Sequence, residues 1–201
     1  GIIGTGRQAR GQLRAIAEVR QLNEVRAYSP TEENRNDFAA EMGDETGVRV
    51  EAVGGSDEAV EGADIVVTAT TATRPVFDGS LLDEGAHVNA VGQYDPERWE
   101  IDTTTVERAK YVPDLRARVS QDAGAFLHAL DEGAIDENHV HAELGEVVAG
   151  KTVGRESDDE ITLFDSGGTA IETTAGAHIL YEKAKENGLG QELEFTSMRG
   201  N

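Results

Sequence analysis

The first nine residues constrain the fold of this chain more than any other stretch. They read GIIGTGRQA, so Gly4, Gly6 and Ala9 fit the pattern G-x-G-x-x-A. In this pattern the first glycine allows a tight turn, the second lets the backbone approach a diphosphate, and the small third residue lets a helix pack against a strand. An apolar segment precedes the pattern and an amphipathic one follows it, as a dinucleotide-binding turn requires. The alternative is a strand, turn and helix without a ligand.

Predicted strands alternate with predicted helices along the chain. The strand candidates are EVRAY, VRVEAV, DIVVTAT, HVNAVG, KYVPD and ITLFDS. The helix candidates run from Gln8 to about Arg20, over TEENRNDFAAEM, SDEAVEGA and AGAFLHALDEGAI, and from about Thr169 to Asn187. The continuous apolar run DIVVTAT is typical of a parallel strand covered on both faces. The pattern predicts an α/β fold with a Rossmann-type doubly wound parallel sheet and helices on both faces.

The net charge limits the partners that the chain can bind. There are 39 acidic and 18 basic residues, giving a formal charge of −21, and the acidic residues are spread along the chain. Such a surface repels nucleic acids and anionic membranes, so we expect neither as a partner. The charge has two interpretations, a soluble self-repelling surface or an adaptation to high salt, and the scarcity of lysine favours the second.

The sequence also lacks several common features. It has no cysteine, which excludes disulfides, thiolate zinc sites and cysteine nucleophiles. No run approaches eighteen apolar residues, so we expect no transmembrane helix. The first residues show no basic segment followed by an apolar one, so we expect a cytoplasmic location.

The end of the second predicted strand bears on the choice of cofactor. An acidic residue there would bind the ribose 2′-hydroxyl of NAD. This strand ends in Tyr-Ser-Pro-Thr, so Ser29 and Thr31 would donate to a 2′-phosphate and Arg35 would reach it. These residues favour NADP, whereas the nearby Glu32 and Glu33 oppose it, and the choice between NAD and NADP stays open.

Two other stretches match ligand sites only formally. Residues 145–152 read GEVVAGKT and fit the phosphate-loop pattern G-x-x-x-x-G-K-T. The preceding HVHAEL is a poor buried strand and the following VGRESDD cannot form the long helix that receives phosphates, so we predict a strand and a turn. His139 and His141 would lie on one face of a strand near Glu143. Two histidines in an acidic surface loop are the more ordinary interpretation, and we predict no metal site.

Five stretches taken together resemble the ornithine cyclodeaminase/mu-crystallin family. They are GIIGTGRQA, ADIVVTATTATRPVFDGSLLDEGAHVNAVG, ELGEVVAGKTVGR, EITLFDSGGTAIE and ILYEKAKENGLG. Their order and spacing agree over essentially the whole chain. The resemblance implies an NAD(P)-binding enzyme that acts on amino acids or cyclic imino acids. Members of the family include ornithine cyclodeaminases, alanine dehydrogenases and ketimine reductases.

The resemblance also accounts for the shortness of the first strand. Only Gly1, Ile2 and Ile3 precede the turn, about half of a usual strand. Family members carry a long segment before this turn, which forms most of the substrate and dimer domain. We therefore expect the cofactor half of a longer enzyme, with 1–168 as the dinucleotide-binding Rossmann domain and 169–201 as a helix and tail that pack towards the substrate domain. The resemblance implies a homodimer that binds a small amino or imino acid.

The family resemblance implies cofactor-binding residues at the ends of several predicted strands. Those expected at the pyrophosphate are Gly4, Thr5, Gly6, Arg7 and Gln8. Those expected along the dinucleotide and near the nicotinamide are Thr70, Thr71, Val91 and Gly92. Those expected to close the site from the last strand are Ser166, Gly167 and Gly168.

One stretch departs from the family pattern. In the cyclodeaminases a segment similar to GGDCPGKTEL carries the catalytic aspartate and a lysine, and the corresponding segment here is GQYDPERWEI. Tyr94 takes the aspartate position, Asp95 follows one residue later, and Arg98 takes the lysine position, where we expect it to contact the cofactor. A shift by one residue points a side chain elsewhere. Tyr94 and Asp95 are the catalytic candidates as proton sources, and the alternative for both is a turn contact.

Three functions stay open at this point. The first is an NAD(P)-dependent oxidoreductase acting at the C–N bond of an amino or imino acid, because imine reduction needs mainly hydride delivery, orientation and one proton. The second is an ornithine cyclodeaminase in which Asp95 replaces the missing aspartate. The third is a dinucleotide-binding module without catalysis.

Overall fold

The structure is a computed structural model that describes residues 1–193. Two compact units are present, of which the first comprises Gly1–Gly167 and the second begins at Gly168. The last residues of the predicted tail, 194–201, lie outside the described residues. The predicted division of function between residues 1–168 and 169–201 stays a prediction.

Within the described residues, seven parallel strands form one sheet in the first unit. They are β1 (Ile2–Ile3), β2 (Val25–Tyr28), β3 (Val50–Ala52), β4 (Ile65–Thr68), β5 (His87–Ala90), β6 (Lys110–Pro113) and β7 (Thr162–Asp165). Their order is β3-β2-β1-β4-β5-β7-β6. The chain thus adds strands first to one side of β1 and then to the other. This reversal creates a crevice at the carboxyl ends of β1 and β4, where open α/β sheets bind ligands.

Helices connect these strands and cover the sheet. Those of the first unit are α1 (Arg7–Val19), α2 (Glu32–Thr46), α3 (Ser56–Val60), α4 (Thr103–Arg108), α5 (Arg116–Asp122), α6 (Gly124–Asp131) and α7 (Leu144–Val148). Two 3₁₀ turns cover Gly79–Leu81 and Glu137–His139. The prediction of a Rossmann-type α/β fold with a doubly wound parallel sheet is confirmed.

Two apolar clusters lie on opposite faces of the sheet. On one face Ala9 and Leu13 of α1 and Phe38 of α2 pack with Ile2 and Val67. On the other face the neighbouring residues Ile3 and Val66 join a larger cluster with residues of α3, α4, α5 and α6. Successive strand residues point to opposite faces, so the short β1 contributes one side chain to each core. Both of its residues are buried, and it pairs with β2 and β4, so two residues suffice for a central strand.

Two local expectations are wrong. Residues 144–148 form α7 rather than the predicted strand. His139 ends a 3₁₀ turn, so His139 and His141 do not lie on one face of a strand. Each of these segments is short, and short segments follow their tertiary contacts more than their own pattern.

The second unit contains one long helix, α8 (Ala170–Glu186), close to the predicted span. It begins with a capping box, in which Thr169 and Glu172 satisfy each other's backbone N–H groups. Among the residues that the structure describes, no helix is both long enough and apolar enough to cross a membrane.

Candidate functional site

The opening turn lies at the carboxyl end of β1, in the crevice between β2 and β4. Gly4 has a φ of 102°, and its N–H donates to the Tyr28 carbonyl at 2.9 Å. A Cβ at Gly4 would come under 3.0 Å from the Ala69 carbonyl oxygen, closer than real Cβ atoms approach. The backbone conformation and the close approach both require glycine. Gly4 therefore fixes the turn against the ends of both neighbouring strands.

Gly6 differs from Gly4 because neither its backbone conformation nor a neighbouring atom requires a glycine at this position. It is the N-cap of α1, with an extended backbone, and a Cβ there would meet no atom within 4 Å. Within the described residues no side chain caps α1, and its first turn carries no acidic residue. The first N–H groups of a 13-residue helix are thus left for an external acceptor. An open backbone at an uncapped helix N-terminus fits a diphosphate, which the helix dipole also favours.

Arg10 stabilises this turn from the far side, and sequence reasoning missed it. Its guanidinium donates to the Thr5 carbonyl and to the Gly6 carbonyl, the latter at 3.4 Å. It also forms an ion pair with Glu41 at 2.6 Å and lies over the Phe38 ring. Arg10 occupies the carbonyls of the turn while Arg7 and Gln8, which begin the helix, stay exposed. The sequence shows Arg10 only as one charge on an amphipathic helix.

The residues predicted for the 2′-position of the cofactor come together at the end of β2. Ser29 is buried, and Arg35 Nη1 donates to the Ser29 carbonyl at 3.1 Å. Thr31 is the N-cap of α2, but its hydroxyl caps no backbone N–H of that helix. Glu32 and Glu33 occupy the first turn of α2. Arg35 is thus anchored beside the strand end, with acidic residues on the same helix.

The loops after β4 and β5 lie side by side at the same edge of the sheet. Thr70 is half-buried and Thr71 is exposed after β4, while Val91 is half-buried and Gly92 buried after β5. The Val91 N–H donates to the carbonyl of Thr68, the last residue of β4, at 2.9 Å. The structure therefore places these four residues in neighbouring loops at the same edge of the sheet as the opening turn, and their contacts with the dinucleotide stay a prediction.

The catalytic candidates occupy a tight turn after β5. The Asp95 carboxylate accepts the Glu97 N–H at 2.9 Å, and the Asp95 carbonyl accepts the Arg98 N–H at 2.9 Å. Tyr94, next to it, is half exposed. The geometry thus shows the predicted turn contact for Asp95. The catalytic role of Tyr94 or Asp95 and the cofactor contact of Arg98 stay predictions.

The end of β7 combines a predicted loop with a buried acid that sequence reasoning missed. Ser166 N–H donates to the Ala90 carbonyl at 2.9 Å, and the Gly167 carbonyl accepts from Arg118 at 3.3 Å. Gly168, with a φ of 78°, begins the second unit. Asp165, just before this loop, is 3% exposed and accepts the Tyr111 hydroxyl.

Burial is the largest cause of the pKa shifts of Asp165 and Tyr111. Burial raises the pKa of Asp165, the hydrogen bond from Tyr111 opposes this rise, and the neighbouring acid Asp114 adds to it, so that the pKa stands at about 7. Burial and the Asp165 charge likewise raise the pKa of Tyr111 well above its usual value. Gln93 lies beside Asp165, 1% exposed, and neither of its amide atoms has a hydrogen-bond partner within the described part of the chain.

The histidines that suggested a metal have ordinary partners. His139 Nε2 donates to the Val106 carbonyl and His141 Nε2 donates to the Val153 carbonyl, each at 2.7 Å. Within residues 1–193, no group of three or more histidine or acidic side chains is arranged to hold a metal ion. Both rings therefore serve as hydrogen-bond donors that fasten loops.

The sheet order and the glycine turn at its switch point define a Rossmann-like α/β protein. A model of the ornithine cyclodeaminase/mu-crystallin family matches residues 1–188, and the chain belongs to this family.

Relatives with named activities agree with this assignment. The chain is 40% identical over 195 residues to the Delta(1)-pyrroline-2-carboxylate reductase of Bacillus cereus, covering 96% of this chain and 60% of the reductase. It is 44% identical, with a TM-score of 0.92, to the Delta(1)-pyrroline-2-carboxylate reductase of Thermococcus litoralis, solved with NADH and L-proline, covering 96% of this chain and 60% of that one. An archaeal alanine dehydrogenase dimer with bound NAD is 36% identical, with a TM-score of 0.88, covering 98% of this chain and 60% of that one. The chain thus spans about 60% of the length of these relatives.

Proposed function

We propose that this chain is the cofactor-binding part of an NAD(P)-dependent oxidoreductase that reduces the C=N bond of a cyclic or acyclic imino acid. The observation that carries the proposal is the opening turn, where Gly4 is fixed against Ala69 and an uncapped α1 begins at Gly6. Reductases of pyrroline-2-carboxylate at 40% and 44% identity support the reaction class.

Different segments of the chain hold different parts of the cofactor. The N–H groups from Thr5 to Gln8 bind the diphosphate, with Gly4 shaping the turn, and Thr70, Thr71, Val91 and Gly92 line the dinucleotide towards its nicotinamide. The segment from Ser166 to Gly168 closes the site from β7. A bound reduced nicotinamide supplies the hydride, while the protein supplies orientation and electrostatics.

The proton that completes imine reduction comes from the turn after β5. Of the two candidates, Tyr94 is the better supported, because the Asp95 carboxylate already accepts the Glu97 N–H. The same contact weakens the cyclodeaminase alternative, which needs a carboxylate free to activate attack on an imine. Release of ammonia from ornithine without net consumption of NAD would favour that alternative.

The residues at the end of β2 bear on whether the chain prefers NADP or NAD. Ser29, Thr31 and Arg35 meet there without an acid at the strand tip, which supports NADP, whereas the related solved structures hold NADH or NAD. We propose that the chain binds NADPH at least as tightly as NADH. A dissociation constant for NADPH roughly tenfold above that for NADH would contradict this.

Cofactor titration tests the proposed function directly. Nicotinamide fluorescence of NADH and NADPH, followed as the chain is added, should show saturable binding. Oxidation of the bound cofactor is then assayed with pyrroline-2-carboxylate, iminosuccinate, and pyruvate plus ammonia, the substrates that the relatives' names suggest. Binding without turnover on any of them would favour the non-catalytic module, and absence of binding would refute the proposal.

The remaining proposals concern the whole protein and its surroundings. We propose a homodimer, as one related structure is, in the cytoplasm, with a small amino or imino acid as the substrate.

The charge of −21 supports adaptation to high salt. Urea unfolding across a salt series should show stability rising towards molar salt as repulsion is screened. Equal stability at low and molar salt would contradict the adaptation.

A further inference from the structure

Glu100 is a buried carboxylate between the loops that follow β4 and β5. Its exposed fraction is 0%. Oε1 accepts the Thr70 N–H, and Oε2 accepts the Gly92 N–H at 2.6 Å and the Thr68 hydroxyl at 3.0 Å. Two of these three donors are backbone groups of the loops proposed to line the dinucleotide. Both carboxylate oxygens are therefore needed to hold the two loops.

The contact between Glu100 and the β5 loop is tight. A Cβ at Gly92 would lie under 3.0 Å from the Glu100 carboxyl carbon and both oxygens. A side chain at position 92, just after β5, would therefore displace this carboxylate. The backbone of Glu100 adds a further link, because its carbonyl accepts the Val76 N–H at 2.9 Å. The loop after β4 is therefore attached to Glu100 both at its start and further along.

The same contacts continue to the opening turn. A Cβ at Gly4 would meet the Ala69 carbonyl and, at 3.2 Å, Cγ2 of Thr70. The turn therefore lies against the β4 loop, the β4 loop is bonded to Glu100, and Glu100 is bonded to the β5 loop. Any displacement of Glu100 changes the distance between the diphosphate end and the nicotinamide end of the proposed site.

We infer that Glu100 is a positioning residue for the nicotinamide half of the cofactor, an inference that rests on the proposed function. It acts through the N–H groups of Thr70 and Gly92, which it holds at one separation. Glutamine has nearly the same shape but offers one acceptor oxygen and one NH₂ group. In Glu100→Gln the NH₂ group would face the backbone N–H of one of the two loops. Two donors cannot form a hydrogen bond with each other, so that loop would move away.

The test compares two ligands that share the diphosphate. NADH and ADP-ribose are titrated into the full chain and into Glu100→Gln, with dissociation constants from fluorescence and calorimetry. We expect the affinity for NADH to fall roughly tenfold and that for ADP-ribose to change less than about twofold. A merely structural role would weaken both ligands alike, because general loosening of the fold does not distinguish the nicotinamide.

Two further variants keep the test decisive. Thr68→Val removes a donor to the same carboxylate but touches neither loop N–H, so its NADH to ADP-ribose affinity ratio should equal that of the parent. If Glu100→Gln does not fold, Gly92→Ala takes its place in the test, because the added Cβ disturbs the same contact from the β5 loop. This variant should also lower the NADH to ADP-ribose affinity ratio. An unchanged NADH to ADP-ribose affinity ratio in Glu100→Gln, or an equal loss of affinity for both ligands, would overturn this inference but leave the proposed function standing. A parent chain that binds neither ligand would overturn the proposed function and the inference with it.

Discussion

Two glycine-containing stretches of this chain fit phosphate-binding patterns, and the structure separates them. In GTGRQA a helix begins after the glycines, because α1 starts at Arg7. In GEVVAGKT the helix comes first, because α7 ends at Val148 before Gly150. The first stretch thus presents the N–H groups and positive dipole end of a helix, whereas the second presents its carbonyl end.

The backbone N–H groups of the second stretch are already used. Gly150 N–H donates to the Val147 carbonyl at 3.0 Å and Lys151 N–H donates to the Glu146 carbonyl at 2.9 Å, so they close the C-terminus of α7. A phosphate loop needs such groups free. A glycine pattern therefore indicates a phosphate site only where a strand precedes it and a helix follows it.

The largest expected effect comes from adding a methyl group to a glycine of each stretch. Both Gly4 and Gly150 have positive φ, but only at Gly4 would the new Cβ collide with backbone. Gly4→Ala should cost about 4 kcal/mol of unfolding free energy, from strain plus collision, and Gly150→Ala about 1 kcal/mol from strain alone. Urea denaturation of both variants measures the difference. Equal costs would show that the turn is not fixed against β4.

A pH series tests the buried acid Asp165, which ends β7. Because the pKa of Asp165 is raised from 3.8 to about 7, the folded state binds more protons than the unfolded state between these values. Folding stability should therefore fall as the pH rises through this window, by about 4 kcal/mol in all. Asp165→Asn still offers an oxygen to Tyr111 and should lack this fall. Urea melts at pH 4, 6 and 8 check it, and parallel curves for parent and variant would contradict it.

Gly6→Val separates binding from stability. A Cβ at Gly6 meets no protein atom, so the unfolding free energy should change by less than about 1 kcal/mol. The added side chain would occupy the approach to the diphosphate, so affinity for NADH should fall roughly tenfold or more. Gly11→Ala, within the same helix and also without neighbours, is the matched control and should leave the affinity unchanged. Undiminished binding by Gly6→Val would place the cofactor elsewhere.

The smallest expected effect is at Lys151, the lysine of the second pattern. It is exposed and follows the end of α7, so Lys151→Ala should keep NADH affinity within about twofold. ATP should give no saturable heat with either chain in calorimetry. A loss of nucleotide binding in this variant would mean that the second stretch is a phosphate site after all.

The sequence predicts the central sheet and the opening turn because their signals are local. The apolar run of β4 and the glycine turn before α1 both carry their pattern within a few residues. Short helices such as α4, with the sequence TTTVER, have no apolar periodicity and depend on Asp102 as an N-cap and on burial of Val106. The place of β7 between β5 and β6 likewise follows from tertiary pairing.

The site residues that sequence reasoning missed have distant backbone partners. Glu100 accepts from Thr70, 30 residues earlier, and from Gly92, eight residues earlier. Arg10 holds the carbonyls of Thr5 and Gly6 while its charge pairs with Glu41, 31 residues away. Such contacts leave no periodic or spaced signal, since any residue can offer a backbone group.

Binding of the diphosphate by the N–H groups of the opening turn underlies the proposed function. The most direct measurement is a titration of the ¹⁵N-labelled chain with ADP-ribose, followed through the backbone amide resonances. The amides of Thr5, Gly6, Arg7 and Gln8 should shift together as the ligand saturates, while those of Gly150 and Lys151 stay in place. Unshifted turn amides at saturating ADP-ribose, or shifts confined to the second stretch, would contradict the claim.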